Sequence, residues 1–229
     1  MNGESQQVPE YVSAHTRASW STYLLTGCLV INAVGLWFGF RVLDLVIRFQ
    51  SGQKITQEEL TTLNNQGLIV DRLTLLLMVS TAIVFLAWIY RTHKNLAALG
   101  ARETQFTPGW AVFWFFIPIL NLVRPFQIAE EIRAASNPEI VHPTAWKENI
   151  ASGLVRGWWA CYILSGFTTY IYLQGLRDLG HIAVWIGMAG SALAIVSAAL
   201  GILMVRDIDN RQSAKQDRLR LMNNVPHGS

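Results

Sequence analysis

A chain of 229 residues, 52% hydrophobic and only 14% charged, falls well below the roughly 25% charged residues of soluble domains. That deficit excludes an ordinary soluble globule and points to one membrane domain with short tails. The net charge of +3 comes without a block of like charge, so no nucleic-acid partner is expected.

Residues 1–18 are polar, and they lack the basic-then-apolar order of a cleaved signal. They are read as a cytoplasmic tail ahead of a membrane domain over 19–205. The first span covers about 20–40, with Trp20, Tyr23, Trp37 and Phe38 placed as interfacial anchors. Beyond it Arg41, Asp44 and Arg48 are spaced to pair along one helix face. Residues 50–67 read as a polar loop in which Thr56 and Glu59 have capping-box spacing for a short helix. The second span covers about 70–90 and begins with Asp71 and Arg72. With Arg41 and Asp44 these two are expected to form an outer-face ion-pair cluster of structural rather than chemical role.

Residues 91–102 read as a basic helical extension, and the segment 107–136 follows. Its apolar part, Trp110 to Val123, is about 14 residues long, short of the roughly 20 that a crossing helix needs. Thr107 and Pro108 form a helix start, Pro118 breaks the helix, and Asn121 is expected to cap a second, amphipathic one. The segment is therefore expected to be re-entrant or interfacial, on the cytoplasmic side. After a linker with Pro138 and Pro143, a third span covers about 155–176. A turn at Arg177–Gly180 leads to a fourth, about 182–205. In that last span Gly187 and Ser191, Gly190 and Ala194, and Ser197 and Gly201 repeat the small-xxx-small spacing of close helix packing. Residues 206–229 form a polar tail, helical to about Met222. The fold class is thus an all-α membrane protein with four spans and a broken segment.

Orientation follows from the 18 Lys and Arg. Arg17, Arg91, Lys94, Arg102, Arg124, Arg133, Lys147, Arg156 and the basic residues of the tail fall on one side. Only Arg41, Arg48, Lys54, Arg72 and Arg177 fall on the other, so the positive-inside rule places both termini in the cytoplasm.

The residues Trp88, Tyr90, Arg91, Asn95, Leu96, Leu99, Gly100 and Ala101, then Thr107-Pro108-Gly109-Trp110, Pro118, Asn121, Leu122, Pro125, Arg133, Ala134 and Ser136, form a pattern. It resembles a bacterial membrane family known only as a domain of unknown function, DUF4328. The likeness covers about 70–205 and departs at Phe126, where a tyrosine is expected. The resemblance implies a multi-span fold in a bacterial inner membrane and assigns no activity.

Catalytic signatures are missing from the sequence. His15, His93, His142, His181 and His227 lie outside the spans, which disfavours haem ligation. Cys28 and Cys161 lie within apolar runs as small buried hydrophobes, and Asp207 and Asp209 read as a solvated helix start. No metal and no cofactor are expected. The best constellation is Asn95, Asn121, Arg124, Gln127, Glu131, Arg133 and Arg156, gathered near the cytoplasmic interface around the break. It reads as a pocket for an anion or a lipid headgroup. The structural alternative has Asn121 capping, Arg124 snorkelling and Glu131 paired with a base. The function expected is a non-enzymatic membrane module binding lipid headgroups or partner proteins, with a homo-oligomer as one such partner. The alternatives are a small oligomeric channel or transporter gated by the broken segment, and a headgroup-modifying enzyme using Glu130, Glu131 or His93.

Overall fold

The described residues of the computed structural model, 10–149, 152–175 and 181–224, contain helices and no strand. In chain order the α-helices are α1 (His15–Gln50), α2 (Gln57–Ala98), α3 (Pro108–Phe113), α4 (Arg124–Ala135), α5 (Gly153–Gly175) and α6 (His181–Asn224). Three of them, α1, α2 and α6, are long and apolar enough to cross a membrane. At 1.5 Å per residue they run about 54, 63 and 66 Å, roughly twice a 30 Å hydrocarbon core. Each therefore continues out of the apolar layer as unbroken helix. The region of the third expected span is helical, as α5, but it is not one of these three. Its expected end at Leu176, the turn Arg177–Gly180 and residues 1–9 lie outside the described residues.

Two helices are longer than their sequence suggests. The Thr56–Glu59 capping box forms, with Glu59 N–H donating to Thr56 Oγ1 at 3.2 Å and Thr56 N–H donating to Glu59 Oε2 at 3.1 Å. It starts not a short separate helix but the 42-residue α2, which shortens the expected loop to residues 51–56. No proline interrupts residues 57–70, and Gly67 lets the helix pass close to Phe38, where a Cβ would stand 3.3 Å from the ring. Likewise the C-terminal tail is no separate element, since α6 runs from His181 to Asn224.

The described chain divides into two compact units. The first takes in residues 22–82 and 156–202. Much of its apolar surface is exposed, as in Leu75, Leu76, Phe167 and Leu173, which in a bilayer is the lipid-facing side. Its inner contacts are close approaches to glycine. A Cβ on Gly39 would come within 2.6 Å of Met188, one on Gly187 within 2.9 Å of Tyr172, and one on Gly190 within 2.6 Å of Thr168 Oγ1. Gly201 accommodates the Trp158 ring, and Ser197 Oγ donates to Trp158 O at 3.2 Å.

The second unit takes in the described parts of residues 1–21, 83–155 and 203–229. Its first corner is the end of α2. Gly100 has φ +79°, and Ala101 N–H reaches back to Leu96 O at 3.0 Å, the left-handed stop that glycine provides. Thr107 then caps α3, its hydroxyl accepting from Trp110 N–H, with Pro108 at the first helical position. After α3 come a 3₁₀ turn (Trp114–Phe116), Pro118, and a second 3₁₀ turn (Leu120–Leu122). Asn121 does not cap α4. It sits inside that second turn, and Val123 takes the cap position without a side-chain bond. The helix α4 also departs from expectation. It is no surface amphipath but the enclosed centre of this unit, with Ile128, Ala129, Ile132 and Ala135 fully buried and Glu130 and Glu131 buried beside them.

Candidate functional site

Burying two adjacent carboxylates on α4 is costly unless each finds partners. Both do. Glu131 accepts from His93 Nε2 at 3.0 Å and from Gln105 N–H at 2.6 Å, which ties α2, α4 and the loop between α2 and α3 to one side chain. Glu130 accepts from Ser152 N–H at 3.0 Å. His93 Nδ1 is buried without a hydrogen-bond partner among the described residues.

A second layer of polar groups closes the unit. Asn95 exchanges two bonds with the Val12 backbone, Nδ2 to O at 2.9 Å and N–H to Oδ1 at 3.3 Å, and donates to Gln212 Oε1 at 3.1 Å. Gln212 in turn donates to Thr92 O at 2.9 Å and Ser136 Oγ at 3.1 Å. Lys215 Nζ donates to Ala135 O at 2.7 Å, among the last carbonyls of α4, where a cation is favoured. Burial pushes the Lys215 amine down to about 8. Asp207 is held by Arg133 Nε at 2.7 Å and Arg211 Nε at 2.9 Å, and Asp209 by His15 Nδ1 at 2.7 Å. The Asp207–Asp209 pair is thus a structural clamp and not a solvated helix start. Among the described residues no group of His, Cys, Asp and Glu is arranged to hold a metal ion. Burial pushes the Tyr11 hydroxyl up despite its bond to Ser213.

The expected constellation is therefore divided. Asn95, Glu131 and Arg133 are joined to protein partners inside the polar core. Arg156 is exposed on α5 and belongs to the other unit. Arg124 and Gln127 do come together, with NH1 donating to Oε1 at 3.0 Å. The Arg124 guanidinium also lies over two rings, 5.7 Å from Phe106 and 5.6 Å from Trp114. Nearby in sequence, Asn121 Oδ1 is buried with no partner among the described residues. The stretch leading to Arg124 presents Trp110, Phe113, Phe116, Ile119, Leu122 and Val123 as exposed apolar side chains, Ile119 at 80%. The edge-to-face Trp110–Phe113 contact, centroids 5.1 Å apart, stiffens its first turn. For the enzyme reading, His93, Glu130 and Glu131 are all buried and bonded to protein groups.

The outer cluster has other members than expected. Arg48 pairs with Asp44 at 3.1 Å and Glu59 at 3.3 Å, while Arg41 lies over Trp37 at 5.5 Å. Asp71 and Arg72 are exposed on α2. Arg41, Asp44, Arg48, Glu58 and Glu59, but not Asp71 or Arg72, line a cleft of about 230 Å³ that holds both acids and bases. The Thr56 backbone N–H and Arg48 hold Glu59 below the usual carboxylate value. Cys28 and Cys161 are half-buried free thiols.

Sequence reasoning missed Gln212 and Lys215 altogether, since both lie in what reads as a polar tail. The one available signal was periodicity. Met204, Val205, Ile208, Gln212 and Lys215 fall on one helical face.

A family model described as Domain of unknown function (DUF4328) matches residues 51–210. The match takes in the start of α2, beyond the region where the likeness was recognised. No curated protein and no solved structure matches the chain.

Proposed function

The chain belongs to the family described as Domain of unknown function (DUF4328), and from that premise we propose that it is a non-enzymatic, four-span module of the bacterial inner membrane that binds anionic lipid headgroups at the cytoplasmic face. The observation that carries this reading is Arg124. Its guanidinium lies over Phe106 and Trp114 at the end of an exposed aromatic and aliphatic ledge too short to cross a bilayer. Such a ledge suits the interface, where aromatic rings and snorkelling arginines sit at headgroup depth. The distribution of Lys and Arg supports the orientation, and α5 supplies the fourth span.

The test is native mass spectrometry of the full chain with phosphatidylglycerol against phosphatidylcholine. Wild type retains phosphatidylglycerol preferentially, and Arg124→Gln weakens that preference. Equal retention of both lipids by both proteins rejects the reading.

A transporter remains the second reading because of one atom, the buried and unpartnered Asn121 Oδ1 beside a helix break. Liposome flux that Asn121→Ala leaves unchanged removes it. Partner proteins and a homo-oligomer have less support. The small residues Gly187, Gly190, Ser197 and Gly201 already meet α5 of the same chain, and Ser191 Oγ donates to Gly187 O within α6.

A further inference from the structure

A second cleft, of about 440 Å³, lies in the polar-cored unit and is lined by Arg17, Leu86, Ala87, Tyr90, Arg91, Gly109 and Val112. Its size falls in the roughly 300–1,000 Å³ range of small-ligand sites. Two guanidinium groups and a tyrosine hydroxyl stand beside an aliphatic wall. We infer that this cleft is a separate seat for one anionic phospholipid, its phosphate taken by Arg17 and Arg91 and an acyl chain laid along Leu86, Ala87 and Val112. The inference rests on the membrane reading above but uses none of the Arg124 contacts.

Three observations support it. The first is charge. Among the described residues no carboxylate lies within ion-pair distance of Arg17 or Arg91, whereas the Arg41 and Arg48 cleft is neutralised by its own Asp44 and Glu59. Arg91 is also fixed in place, since its Nε donates to Val12 O at 3.2 Å. That bond leaves the terminal nitrogens of the planar fork for a phosphate.

The second is position. Arg17 precedes Trp20, where the apolar run of α1 begins, and Arg91 follows Tyr90, where that of α2 ends. Both arginines therefore mark the level at which their helices pass from polar to apolar surroundings. A phosphodiester lies at that level, with its acyl chains on the apolar side. A soluble anion would need no aliphatic wall, and a purely apolar ligand would need no arginines.

The third is Gly109. A Cβ built on it meets nothing within 4 Å, so the cleft wall has room for a side chain to start there. This provides a way to fill the cleft while leaving both charges in place.

The experiment uses the full-length chain, with retention of dioleoylphosphatidylglycerol and dioleoylphosphatidylcholine read by native mass spectrometry. The variants are Arg17→Gln/Arg91→Gln, Gly109→Leu and Arg124→Gln. A basic residue near an anionic surface contributes about fivefold, so the double arginine variant is expected to weaken phosphatidylglycerol binding roughly 30-fold. Gly109→Leu is expected to remove the same bound lipid with the thermal midpoint unchanged. Arg17→Lys/Arg91→Lys, which keeps the charge, is expected to restore part of the binding.

The assignment is overturned if both cleft variants retain phosphatidylglycerol as wild type does. If Arg124→Gln alone lowers retention, the cleft is rejected while the Arg124 reading stands. If wild type retains no phosphatidylglycerol, both fall. Displacement of the lipid by free glycerol phosphate at comparable concentration also overturns it, by making the ligand a soluble anion.

Discussion

Gln212 carries the sharpest prediction. Its side chain is 1% exposed and makes three hydrogen bonds, to Asn95, Thr92 and Ser136. Replacing it with leucine keeps the volume approximately and removes all three. The partners are not equally harmed. Thr92 O remains within the α2 ladder, and Ser136 Oγ still donates to Ile132 O at 2.6 Å. Asn95 Nδ2 keeps Val12 O but is left with one buried proton unmet. One such orphaned donor costs about 1–3 kcal/mol and each of the two remaining lost bonds about 0.5–1.5, giving a loss of about 2–6 kcal/mol. At 1.4 kcal/mol per tenfold, that is a shift of roughly 30- to 20,000-fold in the opening equilibrium. The assay is urea-dependent proteolysis of the purified chain in mild detergent, run as a double-mutant cycle with Asn95→Leu. A coupling of about 0.5–3 kcal/mol between the two positions is expected for side chains in one network. Additive effects, or a Gln212→Leu protein that opens as wild type does, would refute the claim that this network holds the unit closed.

Three further expectations concern other parts of the fold. Lys215 is depressed to about 8 by burial from an ordinary value of 10.5. Below pH 8 the amine is charged in both folded and unfolded chains, and the folded state bears the full desolvation penalty. Between about pH 8 and 10.5 only the unfolded chain holds the proton, so stability rises with pH across that window. A pH series of thermal midpoints should show this rise in wild type and a flat response in Lys215→Met. Glu131→Ala strips His93 and the Gln105 N–H of their acceptor and should cost about 3–5 kcal/mol. Glu131→Gln, which keeps one acceptor oxygen, should cost roughly half as much by the same proteolysis. Gly190→Ala places a methyl 2.6 Å from Thr168 Oγ1 and should lose about 1–3 kcal/mol by overpacking. A Thr168→Ala background should recover most of that loss, and failure to do so would locate the strain elsewhere.

Local signals are legible in the sequence, and distant pairings are not. Thr107-Pro108 and Thr56-x-x-Glu59 are readable because a helix start needs a side-chain acceptor within three residues. The break at Pro118 follows from one missing N–H. By contrast, Glu130 and Glu131 look like the wet face of an amphipathic helix, because periodicity counts charge and does not reveal a partner. Their partners, His93, Gln105 and Ser152, are set by folding and not by spacing. Asn121 misled for a related reason. One 3₁₀ turn, Leu120–Leu122, fits between Pro118 and Arg124 and places the start of α4 past the residue best suited to cap it. Arg17 and Arg91, far apart in the chain, line one cleft that no linear pattern indicates.

The bond pattern at Asn95 also governs when the protein can finish folding. Its partners, Val12 and Gln212, lie 83 residues before it and 117 residues after it in the chain. During synthesis the Val12–Asn95 bonds can form once α2 is made, but Asn95 lacks its remaining bond until Gln212 has followed. Closure of this unit is then a late, post-insertion event with a large loop-closure entropy. A chain stalled or clipped before Gln212 would hold its apolar helices in place yet leave the polar interior of this unit open. Quality-control proteases could distinguish that state from the completed protein.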